Sequence, residues 1–182
     1  MIHVYTGNGK GKTTSAFGLA MRASGQGLKV IIFQFLKPKA LLCGEQIAAK
    51  KIKGIKLVTF NQAHPMFKKK VCSVAVASYL SRAKSRDAAI IKRDFQKAKK
   101  AILSEKYDLV VLDEIINAVD QNFINRKSFL RLLRDAPQKV ELVLTGRGDI
   151  SDIEKYADYV TVMIDKKHPL RKSIGARKGI EY

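Results

Sequence analysis

Cysteine and long apolar runs are scarce in this chain of 182 residues. The two cysteines, Cys43 and Cys72, lie in no CxxC motif and in no histidine-rich stretch. Such isolated cysteines argue against a disulfide framework and a zinc site, and favour two buried thiols. No apolar run approaches the ~18 residues that a membrane-spanning helix needs. We therefore expect neither membrane insertion nor a membrane partner.

Acidic side chains are also few. The chain has 16 Asp and Glu residues against 35 Lys and Arg residues, which gives a net charge of +19 and a pI near 10.0. A positive surplus of this size attracts polyanions and is compatible with nucleic-acid binding. The basic residues are nevertheless spread along the surface segments, without an RNP-type aromatic signature. We favour a solvated, non-specific basic surface and do not expect a nucleic-acid partner.

The length bounds the domain organisation. A chain of 182 residues and 20.3 kDa fits a single core, so we expect one domain over residues 1–182. The first residues already read as a strand, which leaves no room for a basic and then apolar signal segment. We therefore expect a cytoplasmic protein.

A glycine-rich segment follows the apolar, β-favouring residues at the start of the chain. It reads Thr6-Gly7-Asn8-Gly9-Lys10-Gly11-Lys12-Thr13-Thr14. Glycines allow positive φ and let successive N–H groups face one anion, while the helix that follows directs the positive end of its dipole to the same point. Lys12 would add a full charge and Thr13 a hydroxyl for Mg²⁺. The segment predicts a nucleoside triphosphate site, although Thr6 stands where the usual loop has its first glycine, so a reaction other than ordinary ATP hydrolysis is allowed.

Apolar, strand-like segments alternate with segments of helical periodicity along the chain. The predicted strands are residues 2–5, 29–35, 55–60, 108–113, 140–145 and 159–164, and the predicted helices are residues 13–24, 45–51, a long one within 74–104, 126–135 and 150–156. This alternation indicates βαβ units, and continuous apolar strands are typical of a sheet that is covered on both faces. We expect an α/β fold of the P-loop NTPase, RecA-like type, with a mostly parallel sheet and helices on both faces.

Two adjacent carboxylates, Asp113 and Glu114, end the predicted strand that begins near Leu109. In open parallel sheets the ligand lies at the carboxyl ends of the strands, so both acids should face the phosphate loop. One of them can hold Mg²⁺, directly or through water, beside Thr13, and the other can orient a ribose or a nucleophile. A helix N-cap is the alternative role for Asp113.

Two arginines are candidate phosphate ligands. Arg147 follows the next strand and reaches the same edge of the sheet, where it is either a phosphate clamp or an ordinary surface arginine. Arg22 lies about two and a half helical turns beyond Thr13. Packing or a surface ion pair is the alternative role for Arg22.

In combination, these motifs resemble one family, the single-domain ATP:corrinoid adenosyltransferases of the cobalamin pathway. The resemblance covers nearly the whole chain. It is carried by Gly7-Asn8-Gly9-Lys10-Gly11-Lys12-Thr13-Thr14, Ala16-Phe17-Gly18, Arg22, Gln34-Phe35, Lys37, Gly44-Glu45, Leu112-Asp113-Glu114, Leu144-Thr145-Gly146-Arg147, Ala157-Asp158, Lys167-His168-Pro169 and Gly179-Ile180-Glu181.

The resemblance implies a reaction. Such enzymes transfer the 5′-deoxyadenosyl group of ATP to the Co(I) of a corrinoid, such as cob(I)yrinic acid a,c-diamide or cob(I)alamin, and tripolyphosphate leaves intact. They hold the triphosphate in the reverse sense to ordinary phosphate-loop ATPases. Because the reduced cobalt is the nucleophile, no side-chain nucleophile or general base is required. The implied cofactors are ATP and Mg²⁺, the corrinoid is the substrate, and the implied partners are a flavoprotein reductant and a second copy of the chain in a homodimer.

The same resemblance assigns roles to individual residues. Lys12, Glu114 and Arg22 are implied in the reaction itself, and Thr13, Asp113 and Glu114 in positioning Mg²⁺. The residues implied to contact ATP or the corrinoid are Gly7, Asn8, Gly9, Lys10, Gly11, Lys12, Thr13, Thr14, Arg22, Arg147, His168 and Glu181.

The chain departs from the family pattern in two places. Members usually carry aromatic residues, including a tryptophan, in the segment after the third strand that closes over the corrin, whereas this chain has no tryptophan and residues 61–70 stand there instead. Met66 and Phe67 are the candidates for closing over the corrin, and altered or lost corrinoid binding is the alternative. In the tail, Leu170-Arg171-Lys172-Ser173 makes the link between the His-Pro and Gly-Ile-Glu motifs longer than usual.

Two other classes of function remain open at this point. The first is a basic, RecA-like P-loop ATPase that binds nucleic acid. The second is a nucleotide-binding module without catalysis. They differ from the adenosyltransferase in their products, since the ATPase would release ADP and orthophosphate and the module would turn nothing over.

Overall fold

The computed structural model describes residues 1–37, 43–60 and 75–180, and of residues 75–88 and Leu170 it describes only the backbone. The described strands are β1 (Ile2–Thr6), β2 (Val30–Gln34), β3 (Ile55–Thr59), β4 (Leu109–Asp113), β5 (Glu141–Thr145) and β6 (Tyr159–Val162). The described α-helices are α1 (Lys12–Gly25), α2 (Gly44–Ala49), α3 (Ala75–Leu103), α4 (Ile115–Asp120) and α5 (Arg126–Arg134).

The strands form one six-stranded sheet in the order β3-β2-β4-β5-β1-β6. Every strand pair in it is parallel, from Val30 beside Ile55 at one side to His3 beside Tyr159 at the other. The phosphate loop connects β1, the neighbour of the edge strand β6, to α1, and one strand, β5, separates β1 from the acidic strand β4. The predicted RecA-like α/β fold with a parallel sheet is confirmed.

Alternate residues of the strands face opposite sides of the sheet, and each side has its own apolar cluster. On one side, three alanines of α1, Ala16, Ala20 and Ala23, pack on Ile32, Val111, Val143 and their neighbours. On the other side, α3, α4 and α5 contribute Phe95, Ile116 and Phe129, which pack on Phe33, Leu112, Leu144 and others. Small side chains on α1 let this helix lie close to the sheet, and that approach fixes the start of α1 near β4 and β5.

Two helical segments differ from the sequence prediction. Residues 150–156 were expected to form an α-helix, but only a 3₁₀ helix, Glu154–Tyr156, is present. The N–H groups of Ile153 and Tyr156 bond three residues back, and the carboxylate of Asp149 accepts the N–H of Ser151, so the first turn closes as a side-chain turn. Helix α4 was not predicted; it has only six residues, and its first residues, Ile115 and Ile116, follow the two acids at the end of β4 without a Gly or Pro that would separate the elements.

The edge strand β6 is exposed along its whole length. No described helix combines the length and the apolar character that crossing a bilayer requires. Of the two cysteines, Cys43 is buried, and Cys72 lies outside the described residues.

Candidate active site

The phosphate loop encloses the ammonium group of Lys12. Gly7 and Gly11 adopt φ values of +96° and +117°, which a side chain at either position would strain. Lys12 is 7% exposed, and its Nζ donates to the carbonyl oxygens of Gly7 and Gly9, at 2.7 Å in each case. Burial, with Arg147 nearby, lowers the pKa of Lys12 below its ordinary value. The loop therefore encloses the Lys12 ammonium group, the positive charge that a bound phosphate would contact.

The segment after β6 lies directly against the phosphate loop. The N–H of Gly9 donates to the carbonyl of Met163 at 2.7 Å, and the N–H of Asp165 donates to Asn8 Oδ1 at 3.1 Å. A Cβ on Gly7 would stand 2.4 Å from the Met163 carbonyl oxygen, so only glycine fits there. Farther along, Lys10 Nζ donates to the carbonyl of Ile180 at 2.9 Å. We call residues 163–180, which make these contacts with the loop, the tail strap.

Arg147 is aimed at the loop by an asparagine of α4. Asn117 Oδ1 accepts the N–H of Arg147 at 2.6 Å, and Gly146, with φ of +144°, lets the backbone pass within reach of that oxygen. The Arg147 guanidinium then donates to the Asn8 carbonyl at 2.9 Å. Sequence reasoning identified Arg147 but not Asn117, which belongs to the unpredicted helix.

Asp113 is fully buried and both of its carboxylate oxygens accept hydrogen bonds. Oδ1 accepts from Thr13 Oγ1 at 2.9 Å and from Thr145 Oγ1 at 2.7 Å. Oδ2 accepts from Gln34 Nε2 at 3.0 Å and lies 3.3 Å from Lys37 Nζ. The N-cap alternative for Asp113 is not observed, because the N-cap residue of α4 is Glu114. Asp113 instead ties the ends of three strands to the first turn of α1.

Glu114 stands next to this network in a left-handed conformation, with φ of +62°. Its N–H donates to Thr145 Oγ1 at 2.9 Å. This bond holds the Glu114 side chain at the edge of the sheet where the strands have their C-terminal ends. Burial, together with the charge of Asp113, raises the pKa of Glu114 to about 7, although Lys37, Lys12 and Arg147 act in the opposite direction. A non-glycine residue held at positive φ beside a phosphate loop is typical of a functional position.

The oxygen ligands at this edge fit a magnesium ion. Thr13 Oγ1 and the Glu114 carboxylate are hard oxygen donors, the type that Mg²⁺ prefers. Asp113 already accepts three hydrogen bonds and pairs with Lys37, so its share in holding a metal would run through Thr13 or water. In the part of the chain that the structure describes, no cluster of three His, Cys, Asp or Glu side chains is arranged to hold a metal ion. A magnesium ion would therefore need further oxygens from the nucleotide.

Some predicted site residues lie elsewhere. Arg22 is exposed in the last turn of α1, about 13 Å along the helix axis from Thr13. It lines a groove of about 550 Å³ whose other lining residues are Tyr5, Ser15, Gly18, Leu19 and Met21. His168 is half-buried at the start of a 3₁₀ helix, Pro169–Lys172, in the tail strap. Glu181 and residues 61–70, including Met66 and Phe67, lie outside the described residues.

Comparison with known proteins places the whole chain in one family. Residues 1–182 match the family described as ATP:corrinoid adenosyltransferase BtuR/CobO/CobP. The corrinoid adenosyltransferase of a Sinorhizobium species is 32% identical over 185 residues, covering 100% of this chain and 80% of that protein. The corrinoid adenosyltransferase of Escherichia coli K12 is 31% identical over 185 residues, covering 100% of this chain and 85% of that protein.

One solved structure gives a weaker likeness. The KaiC-like protein PH0186 from the hyperthermophilic archaeon Pyrococcus horikoshii OT3 has a TM-score of 0.49 at 18% identity, covering 90% of this chain and 70% of that chain. The family match and the curated relatives carry the assignment without it. The chain belongs to the ATP:corrinoid adenosyltransferase family.

Proposed function

We propose that this protein transfers the 5′-deoxyadenosyl group of ATP to the Co(I) of a corrinoid and releases tripolyphosphate. One observation carries the proposal. In a chain of this family, Lys12 and Arg147 lie at the edge of the sheet where Thr13, Asp113 and Glu114 also meet. The corrinoid is a substrate here, and cob(I)yrinic acid a,c-diamide and cob(I)alamin are the candidates.

The proposed step needs no proton transfer. The electron pair of Co(I) forms a bond to C5′ of ATP, the bond between C5′ and its phosphate oxygen breaks, and that pair leaves on the triphosphate. The protein must align C5′ with the cobalt and neutralise the charge that gathers on the leaving group. Lys12, Arg147 and the N–H groups of the loop are suited to the second task. Because cobalt supplies the nucleophile and the protein supplies alignment and positive charge, the active site needs no side-chain nucleophile.

We propose Thr13 and Glu114 as the residues that hold Mg²⁺, with Asp113 fixing the Thr13 hydroxyl. When bound, the ion would neutralise phosphate charge and orient the triphosphate. Asp113 Oδ1 is 2.9 Å from Thr13 Oγ1 and also fixes Thr145, which in turn receives the N–H of Glu114. The threonines and the two acids thus form one rigid unit.

The test is product analysis. The protein is incubated with ATP, Mg²⁺, a reductant and either corrinoid, and products are followed by absorbance and ³¹P NMR. We expect a light-sensitive cobalt–carbon product together with tripolyphosphate. Formation of ADP and orthophosphate, stimulated by DNA or RNA, would instead support the nucleic-acid ATPase, and ATP binding without turnover would support the non-catalytic module.

Other expectations remain proposals. We infer that His168 and Glu181 border the nucleoside or the corrin, and that Arg22 contacts phosphate, a role that its exposed position at the end of α1 does not by itself support. A flavoprotein that reduces the cobalt and a homodimer are proposed from the family resemblance, and a cytoplasmic location is proposed as well. Sedimentation of the purified chain tests the dimer, and reduction assays with a purified flavoprotein test the reductant.

A further inference from the structure

Lys37 is a largely buried cation held between two carboxylates at the edge of the proposed metal site. Its side chain is 17% exposed, and its Nζ lies 3.0 Å from Glu45 Oε1 of α2 and 3.3 Å from Asp113 Oδ2 of β4. Burial alone would lower the pKa of Lys37, but the charges of Asp113 and Glu45 raise it above its ordinary value. Lys37 therefore carries its positive charge at any physiological pH.

This lysine changes the charge balance of the site. Three cations, Lys37, Lys12 and Arg147, act on Glu114 together with the carboxylate of Asp113. Lys37 also pairs with Glu45, so the cluster holds three positive and three negative groups when Glu114 is ionised. Before any ligand binds, a free divalent cation therefore meets no net negative charge, whereas an anionic nucleotide, with or without its metal ion, can pair with Lys12 and Arg147.

Lys37 also occupies a carboxylate oxygen beside the proposed metal site. Asp113 Oδ2 is shared between Gln34 Nε2 and Lys37 Nζ, and Oδ1 is shared between two hydroxyls. A cation that reached Asp113 directly would have to displace one of these donors. Without Lys37, Oδ2 would retain only the neutral amide of Gln34.

We propose that Lys37 keeps a free divalent cation out of the site before nucleotide binds, so that the metal enters only as its complex with the triphosphate. Lys37 acts through Asp113 and is a positioning residue. The proposal rests on the magnesium site inferred above, but it does not depend on which group of ATP is transferred. If the metal enters only with the nucleotide, Thr13 is not occupied by a metal ion before the triphosphate arrives.

The test uses Mn²⁺ as the probe and follows its binding by electron paramagnetic resonance of the free ion and by water-proton relaxation. Titrations of the full chain are made with and without ATP for the parent protein, Lys37→Met and Lys97→Met. Lys97 is the matched control, because its Nζ lies 3.2 Å from Asp94 Oδ1 and Asp94 is 1% exposed, yet the pair lies on α3 outside the site. Both variants remove a lysine charge from a buried carboxylate.

After the Mn²⁺ bound by ATP alone is subtracted, we expect the parent protein and Lys97→Met to bind Mn²⁺ at least tenfold more weakly without ATP than with it. Lys37→Met is expected to bind Mn²⁺ without ATP about tenfold more tightly than the parent, since one positive charge beside the carboxylates is lost. A purely structural role for Lys37 would weaken Mn²⁺ binding instead. Lys37→Arg keeps the charge and should restore the parent behaviour.

Two results overturn the proposal. One is equal Mn²⁺ affinity of the parent protein with and without ATP, once the Mn²⁺ bound by ATP alone is subtracted; this comparison needs no variant and so stands even if Lys37→Met does not fold. The other is equal Mn²⁺ affinity of Lys37→Met and Lys97→Met. If the Mn²⁺ pattern holds but no cobalt–carbon product forms, the proposed transfer is wrong and the role of Lys37 stands.

Discussion

Lys12 is the residue whose charge the proposed reaction needs most directly. Its Nζ is held by two loop carbonyls at 2.7 Å, and these are weaker partners than a triphosphate oxygen. We expect Lys12→Ala to lower kcat for adenosyl transfer by about a hundredfold or more, the loss typical of one preorganised charge on a leaving oxyanion. The measurement is the initial rate of cobalt–carbon bond formation. Lys106→Ala, which removes an exposed lysine, is the control, and parent-level activity in Lys12→Ala would contradict the placement of the triphosphate.

Glu114 makes stability depend on pH in a predictable direction. Its pKa rises from an ordinary value of 4.5 to about 7 in the folded protein, so the folded state binds this proton more tightly than the unfolded state. Between these two pH values the folded chain holds more protons, and the stability conferred by this group therefore falls as pH rises. We expect Glu114→Gln to remove this decline and to be more stable than the parent at about pH 8, by up to about 3 kcal/mol.

Urea unfolding of the parent and of Glu114→Gln at about pH 5 and about pH 8 measures this difference. The two proteins should differ mainly at the higher pH, where the buried carboxylate of the parent is charged. A Glu114→Gln variant whose stability follows that of the parent at both pH values would show that Glu114 titrates normally.

The charged residues of the site could be predicted from the sequence better than the residues that position their side chains and backbone. Lys12, Asp113 and Arg147 follow strands or glycines in recognisable patterns. The role of Asn117 could not be predicted, because its amide meets the backbone of Arg147 only through the packing of α4, 30 residues earlier in the chain. Lys37 was visible as a family motif residue, but its contact with Asp113 depends on β2 and β4 being neighbours in the sheet.

At the scale of elements, two glycines near the phosphate loop should respond in opposite ways to an added methyl group. Gly7 has φ of +96° and a Cβ there would meet the Met163 carbonyl oxygen at 2.4 Å. Gly18 lies within α1, and a Cβ there would meet nothing within 4 Å. We expect Gly7→Ala to destabilise the fold by about 1–3 kcal/mol and to weaken ATP binding, since both the backbone and the tail strap must shift.

Gly18→Ala is the matched variant and should stabilise the protein by about 0.5–1 kcal/mol, because alanine has the higher helix propensity. Chemical denaturation of both variants, with ATP affinity by calorimetry, tests the pair. If Gly7→Ala and Gly18→Ala were equally stable, the close approach of Met163 to the loop would be refuted.

Strand positions could be predicted to within a few residues, since parallel buried strands are continuous apolar runs. The start of the helix after β4 could not, because only Asp113 and Glu114 separate the apolar run of the strand from Ile115 and Ile116, with no Gly or Pro between them. The turn is made at Glu114, a residue type that gives no sign of positive φ. Residues 150–156 were wrongly predicted to be α-helical, because composition does not reveal the local bond from Ser151 to Asp149.

At the scale of the whole molecule, the net charge of +19 predicts weak, non-specific attraction to nucleic acid. Because such binding releases counterions, affinity for a DNA oligonucleotide should fall steeply with salt and be equal for unrelated sequences. Fluorescence anisotropy with two oligonucleotides over a range of salt concentrations measures both properties. A sequence preference that survives at about 0.5 M salt would favour the nucleic-acid ATPase.

The tail strap has a consequence for following this protein in solution. In the structure, Lys10 Nζ donates to the uncharged carbonyl oxygen of Ile180, and Asn8 holds the N–H of Asp165. A triphosphate oxygen is a far stronger acceptor for an ammonium group than a peptide carbonyl. When nucleotide binds the loop, Lys10 should leave the carbonyl of Ile180, and amide hydrogen exchange along residues 163–180 should change. Exchange in this segment would then measure how much of the protein has bound nucleotide.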